Sequence, residues 1–331
     1  MIEIGSKAFL SWSKIEEVKI PHLVAQIGDG AFAACKNLKS IIVDSNNSYY
    51  DSREGCNAII ETATNTLIAS CKGTTIPNSI VNIGNNAFEE NQTLIGAVTI
   101  PNSIKRIGKE AFKGCRQMSS LSIPDALIEV GENAFYNTIW YNNATDGFLY
   151  WGNCCLGYKG SNDFNTLEIK EGTRIIANNA FANCRNLESI IIPASVIRIG
   201  SEAFNGCENL TSIIIPASVA EIGDEAFEDC YSLKKATIGN SVKRIGCKAF
   251  HACFNMTEVT IGSSVTEISM GAFEGCKELN SITIPESVAY LGDGVFWRCK
   301  DTILVFLYNP DIHAAGVYTF PEDARFLIMG S

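Results

Sequence analysis

The chain has 331 residues and a formal net charge of -10, with 26 Lys and Arg against 36 Asp and Glu. Because the basic residues are scattered rather than clustered, nucleic acid and anionic membranes are poor partners for this surface. The sequence contains no run of 18 apolar residues, so we predict no membrane insertion.

An Ala-Phe pair recurs along the chain, most often at a step of 23 residues. In most copies a Cys stands three residues after the Phe, and an apolar run ending in Pro follows. A fixed period of this size is the signature of a solenoid, whose stacked repeats share one core. The phenylalanines of the recognisable copies are Phe9, Phe32, Phe88, Phe112, Phe135, Phe181, Phe204, Phe227, Phe250, Phe273 and Phe296.

Each repeat is predicted to contribute one short strand and then a turn. In the repeat that begins at Cys207, the spacing of Ile213 and Ile215 places both side chains on one face of the strand. Pro216 ends the strand because it cannot donate to a ladder. A second apolar pair, Val219 and Ile222, follows before the next repeat begins.

The segment after this pair is predicted to form a tight corner and a short helical turn. Gly223 suits a close backbone contact because it has no Cβ. Asp224, like the Ser or Asn at this place in other copies, is a residue preferred at a helix N-cap. Phe204, Cys207 and Leu210 are spaced so that all three point inward.

The string Cys-x-x-Leu-x-x-Ile-x-Ile-Pro-x-x-Val-x-x-Ile-Gly-x-x-Ala-Phe, present in full from Cys207 to Phe227, resembles the leucine-rich repeats of the BspA-like, treponeme-type family. The resemblance covers most of the chain. It implies an α/β repeat solenoid, a right-handed horseshoe with a parallel concave sheet and helical turns on the other faces. It also implies a secreted or cell-surface bacterial protein, in some relatives an adhesin for host matrix proteins, glycans or other bacteria.

The spacing predicts one solenoid over residues 1–299 and a C-terminal cap over 300–331. Two longer steps between phenylalanines mark insertions near 44–75 and 136–170, and each contains a candidate β-hairpin. The chain begins in the middle of a repeat and shows no signal segment, so we expect the targeting segment to lie outside this sequence.

No catalytic or cofactor motif occurs, and we predict a non-enzymatic protein without cofactor or metal. The cysteines after the phenylalanines fit a small buried core residue at each repeat, and Cys253 belongs to them, which disfavours a metal site with Cys247 and His251. If Glu61 pairs with Thr66 in the first hairpin, Cys56 faces Cys71, and the two are either a disulfide or free thiols.

Two surfaces are candidates for ligand binding. Strand alternation turns one set of residues outward on the predicted concave sheet, where an extended protein or glycan could lie, although β-propensity alone also places Ser, Thr and Ile there. This set is Ile42, Thr99, Ser122, Ser189, Ile191, Ser212, Ile214, Thr237, Thr260 and Thr283. The other surface is the aromatic insertion, which forms either a ligand site or local core. Its residues are Trp140, Tyr141, Tyr150, Trp151 and Tyr158.

The sequence therefore supports two functions. The first is a surface or secreted module that binds an extracellular macromolecule. The alternative is a structural spacer or an intracellular protein-interaction scaffold, which the sequence preceding the array would distinguish by the presence or absence of a signal peptide.

Overall fold

The computed structural model describes residues 2–124, 126–161, 163–299, 302–307, 312–314, 316 and 325–329. The chain divides into two compact units, Met1–Thr145 and Asp146–Ser331. The prediction of one continuous solenoid with a cap stays a prediction, and most of the predicted cap lies outside the described residues.

The first unit consists of short strands, one 3-10 turn at Arg53–Gly55 and one short helix. Its elements are β1 (Ile2–Ile4), β2 (Glu17–Ile20), β3 (Val24–Ile27), β4 (Ser40–Val43), β5 (Tyr50–Asp51), β6 (Ala58–Glu61), β7 (Thr66–Ser70), β8 (Asn82–Ile83), β9 (Gly96–Val98), β10 (Arg106–Ile107), β11 (Met118–Leu121), β12 (Glu129–Val130) and α1 (Ile139–Asn143).

The second unit has strands alone among its described residues. They are β13 (Gly147–Trp151), β14 (Cys154–Lys159), β15 (Thr166–Glu168), β16 (Ile175–Ile176), β17 (Ser189–Ile191), β18 (Arg198–Ile199), β19 (Ser212–Ile215), β20 (Glu221–Ile222), β21 (Lys235–Ile238), β22 (Arg244–Ile245), β23 (Glu258–Thr260), β24 (Glu267–Ile268), β25 (Ser281–Ile284), β26 (Tyr290–Leu291), β27 (Ile303–Leu307), β28 (His313–Ala314) and β29 (Arg325–Met329).

Each regular repeat of the second unit forms one rung with two strands, where the sequence predicted one. The longer strand precedes the Pro position, and it pairs in parallel and in register with a neighbouring rung, as Ser212 does with Lys235. These strands form three separate sheets, β15 with β17, β19 to β23, and β25 to β29. The second strand is the apolar pair before Gly. These two-residue strands continue a single nine-stranded sheet from β13 to β28. Its register again matches equivalent residues, such as Glu221 and Arg244.

The alternation predicted for the longer strands is confirmed. In β19, Ile213 and Ile215 are buried, whereas Ser212 and Ile214 are exposed. Strands β21 and β25 show the same pattern. One face of these strands therefore belongs to the core and the other faces solvent.

A glycine ends most rungs, and from Gly28 onward it is a site of close contact with the previous rung, as predicted. Ala177 and Ser269 hold this position in two rungs. A Cβ on Gly223 would lie 2.4 Å from the backbone nitrogen of Ser201 in the previous rung. A Cβ on Gly200 would likewise lie 2.6 Å from the backbone nitrogen of Asn178. At Gly200 and Gly223, consecutive rungs thus pack so closely that a side chain would have to displace backbone atoms.

The predicted helical turns were wrong. In the rung of Phe204, the Ala203 N–H donates to the Gly200 carbonyl and closes a four-residue turn. Its third residue, Glu202, has a φ of 54°, the mark of a type II turn and incompatible with an α-helix. The α/β assignment is therefore corrected to strands and hydrogen-bonded turns, with α1 as the α-helix of the described residues. Curvature and handedness stay predictions.

The turn segments stack through their own hydrogen-bond ladder. The Phe204 N–H donates to the Ala226 carbonyl, and the Gly206 N–H donates to the Glu228 carbonyl, both at 2.8 Å. In each case the donor belongs to one rung and the acceptor to the next. The N–H groups between them close turns within their own rung, so the inter-rung donors of this segment all point the same way along the stack.

The residues predicted as helix N-caps bind the neighbouring rung instead. Asp224 Oδ1 accepts from the Cys247 N–H at 2.8 Å, and Asn178 Oδ1 accepts from the Ser201 N–H at 3.0 Å. Their short side chains still satisfy an otherwise orphaned amide, which is the reason for the N-cap preference. The residue type therefore correctly indicated a side chain that binds a backbone amide, although the predicted helix does not form.

The core contains two repeated columns. Phenylalanine rings of successive rungs stack nearly parallel, with centroids 5.2 to 5.9 Å apart from Phe181 to Phe296. Beside them, five cysteine thiols contact the carbonyl of the previous phenylalanine, as Cys230 Sγ does with Phe204 O at 3.3 Å. The five are Cys207, Cys230, Cys253, Cys276 and Cys299. Burial of one such Phe contributes roughly 1.5–3 kcal/mol, and both columns are buried as predicted.

Antiparallel hairpins occur at both predicted places. Strands β6 and β7 pair in the first unit, and β13 and β14 pair in the second. The second strand of each hairpin then continues into a parallel sheet, β7 with β8 and β14 with β16. Each insertion thus supplies a non-standard rung rather than an appended loop.

Candidate functional site

The outward face of the longer strands in the second unit brings together most of the predicted binding residues. Seven of the ten predicted residues lie on this face, and all seven are exposed. Equivalent residues of β19, β21 and β23 lie side by side because these strands pair in register. Strand β17 pairs with β15 and strand β25 with β27, so the seven residues are divided among three short sheets on consecutive rungs. The seven are Ser189, Ile191, Ser212, Ile214, Thr237, Thr260 and Thr283.

An apolar pair interrupts this polar face. The side chains of Ile191 and Ile214 are 62% and 69% exposed, and they stand on adjacent rungs. Glu168 is the register partner of Ile191, and Thr237 is that of Ile214. The patch therefore consists of two branched alkyl groups with a carboxylate on one side and a hydroxyl on the other.

A shallow depression adjoins the patch at the start of the same strands. It is lined by Glu188, Ser189, Asn209, Thr211 and Ser232, which are short polar side chains apart from one carboxylate. The Thr211 hydroxyl already donates to the Glu188 carbonyl at 3.2 Å. The groups that remain can accept and donate hydrogen bonds along an extended ligand.

In the first unit the predicted face lies in two separate pieces. Ile42, 46% exposed, belongs to the two-stranded sheet of β2 and β4. Thr99 and Ser122 are exposed just beyond the ends of β9 and β11, in another two-stranded sheet. The structure therefore does not bring Ile42 together with Thr99 and Ser122 in one sheet.

The predicted aromatic surface is also divided, because Trp140 and Tyr141 belong to the first unit. Trp140 lies on α1 and packs edge-on against the buried Phe135, with centroids 6.0 Å apart. Tyr141 packs in the same manner on Tyr136 at 5.1 Å. Trp140 thus caps the last phenylalanine of that unit's ring stack, a core role.

The aromatic residues of the second unit also serve its core. Trp151 is buried, and the Tyr150 hydroxyl accepts from the Lys170 N–H at 2.9 Å. Burial raises the pKa of Tyr150 to about 12. Tyr158 packs edge-on against Phe148, whose ring in turn lies edge-on to Phe181, the first phenylalanine of that stack. These contacts favour local core over an open ligand site.

The two cysteines of the first hairpin are buried thiols with separate partners. Glu61 pairs with Thr66 as expected, but a bulge between Ile59 and Ile60 shifts the register by one residue. Cys71 Sγ therefore contacts the Asn57 carbonyl at 3.2 Å instead of facing Cys56. Burial raises the pKa of Cys71 to about 11. The disulfide stays a prediction, which this register disfavours.

His251 stands on the turn face between carboxylates of the neighbouring rungs. Its Nδ1 lies 2.9 Å from Glu228 Oε1, and its Nε2 lies 3.8 Å from Glu274 Oε1. The contact with Glu228 raises the pKa of His251 and lowers that of Glu228. Burial and the adjacent Glu228 raise the pKa of Glu225. Because the two carboxylates lie on opposite ring nitrogens, they do not converge on one metal.

Sequence reasoning missed a ladder of ion pairs on the two-residue strands. Arg198 and Arg244 both contact Glu221, and Arg244 also contacts Asp224 at 2.8 Å and Glu267 at 3.2 Å. The signal was present in the sequence as Arg and Glu alternating at a spacing of 23 residues. Such a ladder holds adjacent rungs together, and its arginines are already paired with carboxylates of the protein.

The described residues hold no cluster of three or more His, Cys, Asp and Glu side chains that could bind a metal ion. Within the same residues, no helix has the length and apolar character needed to cross a membrane.

Parallel strands in register, a backbone-packed glycine corner and stacked Phe and Cys columns define a repeat protein whose rungs share one core within each unit. The model of the BspA type leucine rich repeat region matches residues 2–138 and 158–320, in six copies. The chain belongs to this family. A comparison with curated proteins finds no match.

Solved structures of bacterial leucine-rich repeat proteins are similar to this chain. One from Bacteroides ovatus is 22% identical, covers 99% of this chain and 88% of its own, and has a TM-score of 0.40. One from T. pallidum is 25% identical over 65% of this chain and 76% of its own, with a TM-score of 0.29. A leucine rich cell surface protein from Faecalibacterium prausnitzii is 20% identical, and the match covers 98% of this chain and 82% of that protein, with a TM-score of 0.25.

Proposed function

We propose that this chain is a non-enzymatic binding protein of the bacterial cell surface or the secreted fraction, which holds an extended macromolecule on the outward face of its longer strands. The observation that carries the proposal is the exposure of Ile191 and Ile214 on adjacent rungs of an otherwise polar face. Exposed aliphatic side chains that stand together are a usual feature of interaction sites.

The shape of the face supports an extended partner. The outward residues of β19, β21 and β23 form columns because equivalent positions stand in register from rung to rung. In β19, β21 and β23 the outward positions hold Ser, Thr and Ile, together with an exposed ion pair between Lys235 and Glu258. A face of this kind offers contacts at a regular spacing, as a peptide strand or a glycan chain requires.

The test is binding of the purified chain to a panel of matrix proteins and glycans. A variant with Ile191→Asp and Ile214→Asp should lose the interaction. The matched control is Ala194→Asp with Ala217→Asp, which places the same two charges on exposed residues three positions further along each rung. Equal thermal unfolding midpoints establish that all variants are folded.

Loss of binding in the isoleucine variant alone supports the proposal. Binding that both variants lose equally reflects added charge and counts against a site at the patch. If no member of the panel binds, the alternative of a structural spacer or interaction scaffold is favoured, and the ladders of ion pairs and hydrogen bonds between rungs suit that role.

A further inference from the structure

The surroundings of the isoleucine patch narrow the chemistry of its partner. We infer that the patch formed by Ile191, Ile214, Glu168 and Glu188 receives a lysine or arginine side chain of an extended polypeptide, with the aliphatic stem on the isoleucines and the cationic head at the carboxylates. This inference rests on the proposed function, since it names the partner of the same face.

The isoleucines supply a surface for an aliphatic stem. Both are branched alkyl groups that expose more than half of their area, and no aromatic ring accompanies them on the outward columns of these rungs. Lysine and arginine side chains pack their methylene stems along apolar surface while the charged head stays in water. An alkyl patch therefore fits such a stem.

The carboxylates are placed to meet the head group. Glu168 pairs in register with Ile191, so its backbone is about 5 Å away at the ordinary strand spacing. Glu188 precedes Ser189 on the same rung and lines the adjoining depression. Both side chains are exposed, and neither forms an ion pair with any residue that the structure describes.

Each lysine near the patch either has a contact elsewhere in the protein or lies far from the carboxylates. Lys235 pairs with Glu258 at 2.8 Å, and the Lys170 ammonium lies 5.9 Å from the centre of the Tyr150 ring. Lys234 stands two rungs from Glu188, roughly 10 Å away at the usual strand spacing. The charge at the patch is therefore negative, and the complementary partner is positive.

The probe is a synthetic dodecapeptide of alternating threonine and lysine, which presents lysine on one face when extended. Binding to the full chain is measured by titration at pH 6.5 and low salt. In one matched peptide, acetyl-lysine keeps the stem and removes the charge. In another, diaminobutyrate keeps the charge and shortens the stem. We expect both peptides to bind more weakly than the lysine peptide.

Variants of the protein separate the patch from general acidity. Glu168→Gln with Glu188→Gln should weaken binding about five- to tenfold, which corresponds to two exposed ion pairs. Ile191→Ser with Ile214→Ser should also weaken it. Glu278→Gln with Glu286→Gln removes the same charge from exposed positions elsewhere in the unit, and should leave the affinity unchanged.

Three results would overturn the inference: no binding of the lysine peptide, equal weakening by the control pair, or full binding by the isoleucine variant.

The proposed function is tested by a separate outcome. If a matrix protein or glycan binds in a manner that depends on Ile191 and Ile214 but not on Glu168 and Glu188, the face is a binding site and the cationic partner is wrong. If substitution of Ile191 and Ile214 also leaves the binding of the matrix protein or glycan unchanged, the proposed function is wrong as well.

Discussion

Gly223 packs directly on Ser201, one rung earlier, so closely that a Cβ on Gly223 would lie 2.4 Å from the Ser201 nitrogen. Backbone atoms cannot move aside as the end of a flexible side chain can. We predict that Gly223→Ala lowers the free energy of unfolding by about 2–3 kcal/mol, the cost of overpacking. Urea denaturation of the variant beside the wild type measures this loss.

Gly5 provides the matched control for that substitution. It occupies the same repeat position as Gly223, but among the described residues no atom lies within 4 Å of the point that a Cβ on Gly5 would occupy. Gly5→Ala should therefore change the free energy of unfolding by no more than about 0.5 kcal/mol. Equal destabilisation by the two alanines would show that backbone contact is not the reason for glycine at this corner.

The thiol columns predict strongly selective alkylation. Twelve of the thirteen cysteines are buried, and Cys247 alone is partly exposed. Burial raises the pKa of Cys154 to about 12 and that of Cys155 to about 11, so their thiolates are also scarce at neutral pH. Iodoacetamide at pH 8 should label native protein at Cys247, as peptide mass spectrometry will show. Cys247→Ser should abolish that labelling, whereas prompt modification of Cys230 would contradict the packing.

The hairpin register makes a prediction about Cys56 and Cys71. Because the bulge brings Asn57 rather than Cys56 opposite Cys71, we expect both thiols to be alkylated in urea without reductant. The control is the same reaction after reduction, which should add no further label. A pair of cysteines that reacts only after reduction would establish the disulfide and require the hairpin to shift its register.

His251 and Glu228 predict a pH dependence of stability. The pKa of His251 is raised above its ordinary 6.5, so its contribution is fully present below pH 6.5 and is lost as pH rises through the folded pKa. The pKa of Glu228 is lowered below 4.5, so its contribution is present above pH 4.5 and is lost as pH falls through the folded pKa. The contact is therefore strongest between these two limits.

The corresponding experiment compares His251→Gln with the wild type across pH. The variant should be less stable by about 0.5–1 kcal/mol at pH 6, a magnitude reduced by solvent because the imidazole is 26% exposed. The difference should disappear by pH 9. His22→Gln, which makes the same substitution at an exposed position, is the control. A constant difference at all pH values would mean that His251 acts by packing alone.

Features that repeat in the sequence were predictable because each copy reports the same environment. The alternation of Ile213 and Ile215 with Ser212 and Ile214 was enough to distinguish the buried face from the exposed one. The glycine corner followed from residue type alone. The identification of Ile191 and Ile214 as outward residues depended on the same alternation, and their exposure agrees with it.

The features that were missed depend on contacts between rungs. Asp224 has the side chain of an N-cap, but the amide it satisfies belongs to Cys247 in the following rung. Glu202 adopts a positive φ although nothing in its residue type requires it. Both arrangements are stabilised by the adjacent rung, which a local reading of propensity does not include. The hairpin bulge was missed for a related reason, since a perfect ladder was assumed.

The ladder formed by residues 202–206 and their equivalents has a direction, because its inter-rung N–H donors point toward the following rung and its carbonyls toward the preceding one. Peptide dipoles aligned in this way add along the stack, as they do along a helix. One end of such a ladder presents donors and the other presents acceptors. Two identical ends cannot satisfy each other, so further rungs can add to this segment only head to tail, and a symmetric end-to-end pairing is disfavoured.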